Sequence, residues 1–258
     1  MFKLLDWIPK EMLTNHLSLN TRAIRYLEQN PDKIAWHLLS QNPQALHLLQ
    51  ENPEKIDWYN LSGNPEAIHM LEANQHKINW SRLSSNRSGI PLLLKHPEKI
   101  HWPYFSENPA AIQLLEKNPE NISWIWLSCN SEPIHLLASN PDKIAWNTLC
   151  MNRAAIPLLV ENKRKINWFC LSENPAAIQL LEANKEKIDW YSLSSNPAAM
   201  HLLKQHPEKI NWFKFSENPA IFEYDYKEMR QSRPFIEELM ANRFHPKNMD
   251  KFEHWNHE

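Results

Sequence analysis

The chain has 258 residues and 30.6 kDa, and its 42% hydrophobic content with 12 Trp is enough to bury a core, which excludes a disordered polymer. Its 28 basic and 30 acidic residues leave a net charge of −2 and a pI near 6.7, so bulk charge does not point to nucleic acid. Two glycines (Gly63, Gly89) are too few for a phosphate-cradling loop, three cysteines (Cys129, Cys150, Cys170) cannot form a disulfide framework, and neither a signal-peptide stretch nor a membrane-length apolar run is present. The expectation is an intracellular protein without a cofactor.

Residues 1–19 read as a degenerate N-terminal half unit, or cap. Leu17 and Ser18 hold the register of the units after them, but Thr14 stands where a Trp is due. From 20 to 219 the chain is a tandem array. Trp36, Trp58, Trp80, Trp102, Trp124, Trp146, Trp168, Trp190 and Trp212 are spaced by 22, and an Ile precedes each by two positions. Asn recurs at 20, 42, 64, 86, 108, 130, 152, 174, 196 and 218, and a second Asn series lies ten residues further on, from Asn30, with His96 and His206 as exceptions. A fixed period of this length marks a stacked repeat. It predicts an all-α fold, an α-solenoid of about nine 22-residue repeats of two short helices.

In the first half of a unit, Asn108 predicts an N-cap and Pro109 the first helical position. Ala111, Ile112, Leu114 and Leu115 then form one apolar face. Asn118-Pro119 ends that helix. The second half is either one helix or a turn followed by a short helix, and the second reading is favoured. In it the helix is capped by the residue before Trp: Asp57, Asn79, Ser123, Asn167, Asp189 or Asn211. Where Pro is missing after the first Asn it reappears later, as Pro91, Pro133 and Pro157, so units 86–107 and 152–173 are expected to bend or soften. Helices this short are unstable alone, so each unit must bury its Ile, Leu and Trp against its neighbours. A rod or shallow arc is expected. The competing leucine-rich reading needs an apolar residue two after the Asn, where Arg22, Gln44, Glu66, Ser88 and Glu132 stand.

The nine Trp read as the structural core column, the Asn series as caps, and the Ser series (Ser40 onward, Cys150 replacing one) as a backbone-bonding position. A Lys column (Lys33, Lys55, Lys77 and onward) directly follows an acidic column (Asp32, Glu54, Glu98 and onward), which predicts a solvated, mutually paired edge. His47, His69, His135 and His201 share one position, but successive units are too far apart to share a metal ion. No catalytic constellation stands outside the repeat register. The variable residues come directly after each Trp, and on a regular scaffold such a column is where a partner is recognised. Tyr59, Tyr104, Trp126, Tyr191 and Phe213 are the expected contacts.

Residues 220–258 lose the period. Phe235, Ile236, Leu239 and Met240 predict an amphipathic capping helix over the last apolar face. The repeated N-P-x-A-I-x-L-L-E-x-N-P-E-K-I-D-W-x-x-L-S unit, closed by a segment like F-H-P-K-N-x-x-K-F-x-x-W (Phe244 to Trp255), resembles the tandem-repeat proteins of giant nucleocytoplasmic DNA viruses. The resemblance covers nearly the whole chain. It implies a viral origin and an α-rich array, and it carries over no catalytic residues. The expected function is a non-catalytic scaffold for protein–protein interaction, in host cytoplasm or virion. A structural virion or assembly component is the alternative, and a nucleic-acid partner is not expected.

Overall fold

The structure is a computed structural model and describes residues 1–231. The expected C-terminal capping helix around Phe235–Met240 lies outside the described residues. Every unit has one plan, seen in the one that begins at Asn108. A 3-10 turn (Pro109–Ala111) leads into a short helix (Ile112–Lys117), here called the Leu helix. A second 3-10 turn (Pro119–Asn121) leads into the Trp helix (Trp124–Cys129). This is the all-α repeat solenoid read from the periodicity, with the turn plus short helix in the second half.

Two local expectations change. The Leu helix starts at the Ile three residues after the Asn-Pro turn begins, because a 3-10 turn takes up the Asn-Pro segment in nearly every unit. Pro91 and Pro157 therefore fall in the first turn of their helices (Ile90–Lys95 and Ile156–Glu161), where a missing N–H costs nothing. Units 86–107 and 152–173 keep the common plan and are not bends. Of the residues before Trp, Asp57, Asn79, Asn167, Asp189 and Asn211 cap as expected, each accepting from the amide three residues on. Ser123 does not cap, and His101 does so through Nδ1 (3.4 Å).

The fully enclosed residues are not the indoles. Leu39, Leu61, Leu83, Phe105, Leu127 and their equivalents, three after each Trp, are wholly buried. So are Leu49, Leu71, Leu93, Leu115 and the other Leu of that series on the Leu helices, with the Ala of the Asn-Pro turn between them. Each such side chain contributes about 1.5–3 kcal/mol of burial. Trp36, Trp58, Trp80, Trp102, Trp124, Trp146, Trp168, Trp190 and Trp212 pack against this core but are only half-buried. Six of the nine lie at the edge of the core under a Lys of the next unit, as Lys55 lies over Trp36 (4.4 Å), Lys77 over Trp58 (4.5 Å) and Lys165 over Trp146 (4.1 Å). An ammonium over an indole face is attracted by the ring quadrupole and needs water on its other side. Six of the eight Lys in the column therefore pair with indoles, while Lys33 donates to Leu13 O. Among the described residues none of these Lys lies in a salt bridge with the acidic column, which corrects the paired-edge expectation.

Two polar columns staple the units. Ser40 Oγ donates to Trp36 O (2.8 Å) and accepts from Asp57 N of the next unit (3.0 Å), and the other serines repeat this. Cys150 replaces the hydroxyl with Sγ, donating to Trp146 O and accepting from Asn167 N. Each Asn of the first series caps its own turn and also reaches backward. Asn108 Oδ1 accepts from Ala110 N (3.0 Å), while Nδ2 donates to Asn86 O, which opens the preceding unit, and to Ser84 O just before it (both 2.9 Å). A fully buried amide is thereby satisfied at both ends.

The staple does not stop at the ends of the array. Asn20 Nδ2 donates to Ser216 O (3.2 Å) and Asn218 O (2.8 Å), the same pair of bonds across 196 and 198 residues of sequence. Thr14 N donates to Ser216 Oγ (3.0 Å), as the residue before Trp does elsewhere. The chain is therefore a closed ring, not a rod or arc. Nine complete units begin at Asn20 and a tenth is composite. Its Asn-Pro turn comes from Pro219–Ile221 and its second half from residues up to Leu19. Thr14 caps the 3-10 helix Asn15–Leu19 through a bond from His16 N, so it takes the capping role rather than that of Trp.

A clasp secures the seam. Strand β1 (Phe2–Leu4) pairs antiparallel with β2 (Phe222–Tyr224), Lys3 opposite Glu223. Leu5 N donates to Ile221 O (3.0 Å), Arg22 donates to Phe222 O (3.1 Å), and Arg25 pairs with Glu228. A cavity of about 580 Å³ opens beside the clasp, lined by Leu5, Tyr26, Phe222 and the Arg25–Glu228 pair among others.

In a closed ring the elements nearest the axis lie closest to their neighbours. Successive Trp helices pack directly on one another, as do successive Asn-Pro turns, whereas each Leu helix contacts chiefly the turns of its own unit. The Trp helices and Asn-Pro turns form the inner side, and the Leu helices and second turns form the rim. On the rim His47, His135 and His201 each reach the Glu of the preceding unit, at 2.8, 3.0 and 2.6 Å. No described helix is long and apolar enough to cross a membrane.

Candidate interaction surface on the Trp helices

A helix turns by 100° per residue, so the core-facing third and fourth residues after Trp fix the direction of the others. The second and fifth point away from the core, toward the axis, and the first lies to one side. The first position is the exposed one. Tyr59, Ile125, Phe169, Tyr191 and Phe213 have between 43% and 59% of their surface in water. The second and fifth positions point away from the core yet are mostly only partly exposed, because the helices crowd together there.

The five expected contacts therefore divide. Tyr59, Tyr191 and Phe213 sit in the exposed column. Tyr104 and Trp126 sit in the inner column, half-buried, edge to face at 5.0 Å and 75°. Phe169 and Ile125 belong with the exposed set although they are not among the expected contacts; their position directly after Trp is the signal that places them there. Phe169 and Tyr191 lie nearly parallel, 6.4 Å apart. Phe213 meets His16 across the seam, as Tyr59 meets Arg82 of the inner column of its next unit.

The inner column carries charge. Arg82 lies over the Tyr59 ring (5.5 Å) with its guanidinium against Gly63, where a Cβ would stand 3.2 Å from its nearest nitrogen. Its Nε is the one buried side-chain polar atom without a partner among the described residues. Glu107 lies in the next unit. Burial pushes its carboxyl above the usual range, and the Arg82 charge pulls it partly back. On another arc Lys214 reaches Glu217 (3.6 Å) and, two units back, Glu173 (3.9 Å), while His16 bonds Glu217 (2.6 Å).

The thiols are inert in this setting. Cys129 is pushed up to about 11, first by burial and then by the Glu107 charge, and Cys150 and Cys170 are also raised by burial. A raised thiol pKa keeps the sulfur protonated at neutral pH, and only the thiolate attacks. Alkylation of Cys129 by iodoacetamide at pH 8 is expected to run about a hundred-fold slower than in the urea-unfolded chain. The rate should keep rising with pH beyond about 10, where an ordinary thiol has levelled off. A plateau by about pH 10 in the folded protein would contradict this environment.

Among the described residues no cluster of three or more His, Cys, Asp or Glu is placed to hold a metal ion. What the ring offers is a column of exposed apolar and aromatic side chains in five of the nine full units, beside a crowded inner wall of mixed polar and aromatic residues. No protein-family model, curated protein or solved structure matches the chain.

Proposed function

We propose that the ring is a non-catalytic scaffold that recognises a protein partner through the exposed column directly after each Trp. One observation carries this reading: Tyr59, Ile125, Phe169, Tyr191 and Phe213 lie in water although the repeat needs none of them for its core. Large rigid side chains of this kind dominate interface energetics when a partner desolvates them. The rings already stand in fixed register, so little ordering cost opposes binding.

The triple variant Phe169→Ala, Tyr191→Ala, Phe213→Ala tests it. The resemblance to giant-virus repeat proteins directs the capture to infected cells. Protein recovered by the wild-type ring is expected to fall at least tenfold on the variant, with the helical circular dichroism and melting transition retained. Equal recovery on a folded variant would end the proposal for this surface.

A further inference from the structure

We infer that the rim carries a second binding surface, centred on Lys163, Arg164 and Lys165, that takes an acidic peptide segment bearing an apolar residue beside its carboxylates. It is separate from the aromatic column and does not depend on it.

The repeat supplies its own control. In most units the second turn reads Pro-acid-Lys, as in Pro97–Lys99 and Pro207–Lys209, so the charge of each turn cancels locally. In the turn Lys163–Lys165 both the Pro and the acid are replaced by cations. Neither replacement serves the fold. The turn has the common 3-10 geometry, and Lys163 N makes no backbone bond that Pro would forfeit. A carboxylate at this position would also suit the turn amides better than Arg164 does.

The three cations are exposed, and among the described residues none has a carboxylate within salt-bridge distance. The neighbouring turns add Lys143 on one side and Lys185 and Lys187 on the other. A shallow cavity of about 400 Å³, lined by residues 160–165, lies at the centre, and Val160 at its edge is 43% exposed. Lys165 is held over the Trp146 ring, which fixes one ammonium in place.

Two features select the ligand. The cationic excess is concentrated in one turn, with one further unbalanced Lys in the turn Lys185–Lys187, and Asp142 and Glu186 stand in the turns on either side. A continuous phosphate backbone tracking the rim would run onto those acids, whereas a short cluster of carboxylates fits between them. Val160 offers an apolar contact that a bare polyanion cannot use. Rim charges of this kind speed association and make it salt-dependent.

The decisive variant is Lys163→Pro, Arg164→Glu, which restores the Pro-acid-Lys turn that other units already fold with. The probe is a fluorescently labelled peptide with Glu pairs flanking a single Leu, titrated against the full chain and monitored by anisotropy. The wild type is expected to bind, and affinity should fall steeply with salt. Affinity should fall at least tenfold on the restored turn, at an unchanged or higher melting temperature, and severalfold for Val160→Ser. The inference is overturned if the wild type does not bind, if the restored turn binds equally well, or if a Gln version of the peptide binds as tightly. Tighter binding of single-stranded RNA or of anionic phospholipid vesicles than of the peptide would also overturn it.

Discussion

Asn108→Ala is expected to destabilise the ring by about 3–5 kcal/mol, measured by urea unfolding. The substitution removes an N-cap, about 1 kcal/mol, strands the buried Ser84 O at about 1–3 kcal/mol, and takes one of two hydrogen bonds from Asn86 O, which keeps Gly89 N, at about 1 kcal/mol. Asn118→Ala is the control. Its side chain bonds only Leu114 O within its own unit, so about 1 kcal/mol or less is expected. Asn20→Ala carries the sharper test. In an open array the first unit frays, and a substitution there costs little. In the ring Asn20 makes the same bonds as Asn108, to Ser216 and Asn218, and should cost nearly as much. A cost near zero at Asn20 beside a full cost at Asn108 would mean that the ends do not meet.

Phe105→Ala should cost about 3–5 kcal/mol, because a wholly buried ring is lost and its neighbours cannot collapse into the space. Trp102→Ala should cost less, about 1–3 kcal/mol, although Trp is larger and stands in every full unit. Trp102 is half-buried, and Asn121 stands where other units supply a Lys to cover the ring. The two variants, unfolded side by side, rank the columns. If Trp102→Ala proved the more damaging, the indoles and not the Leu and Phe residues would be the main source of cohesion.

The repeat plan is legible in the sequence because each of its causes acts within one unit. Asn before Pro specifies a cap whatever the neighbours do, and Asp57 or Asn211 before Trp announces the second helix in the same way. The half-burial of Trp is not legible, because a column of large apolar residues looks like a core from sequence alone. Where a Lys covers the ring it comes from the next unit, 19 residues on, and nothing in the local pattern links the two. The exposed column is legible only in part. Sequence groups Tyr59, Tyr191 and Phe213 with Tyr104 and Trp126, although one position on a short helix separates water from the crowded inner wall.

Closure is the feature least visible in the sequence, since curvature is a small rotation per unit that only the whole array adds up. Its signature is nonetheless present at the two ends. Leu17, Ser18 and Asn20 keep the register of a unit without its first half, and Asn218-Pro219 begins a unit without its second. The two fragments look like decay, but they are complementary parts of one unit.

A composite tenth unit also makes the numbering of the circle arbitrary. Backbone from the two sides of the join already meets, with Asp225 N donating to Met1 O at 3.2 Å, and every second turn on the rim is structurally equivalent to its neighbours. The gene could therefore be circularly permuted, with a flexible linker joining the present ends and a fresh break at any second turn. Ten rotated versions of one sequence would then describe the same object, so the order in which units emerge from the ribosome can be altered while the finished architecture stays constant.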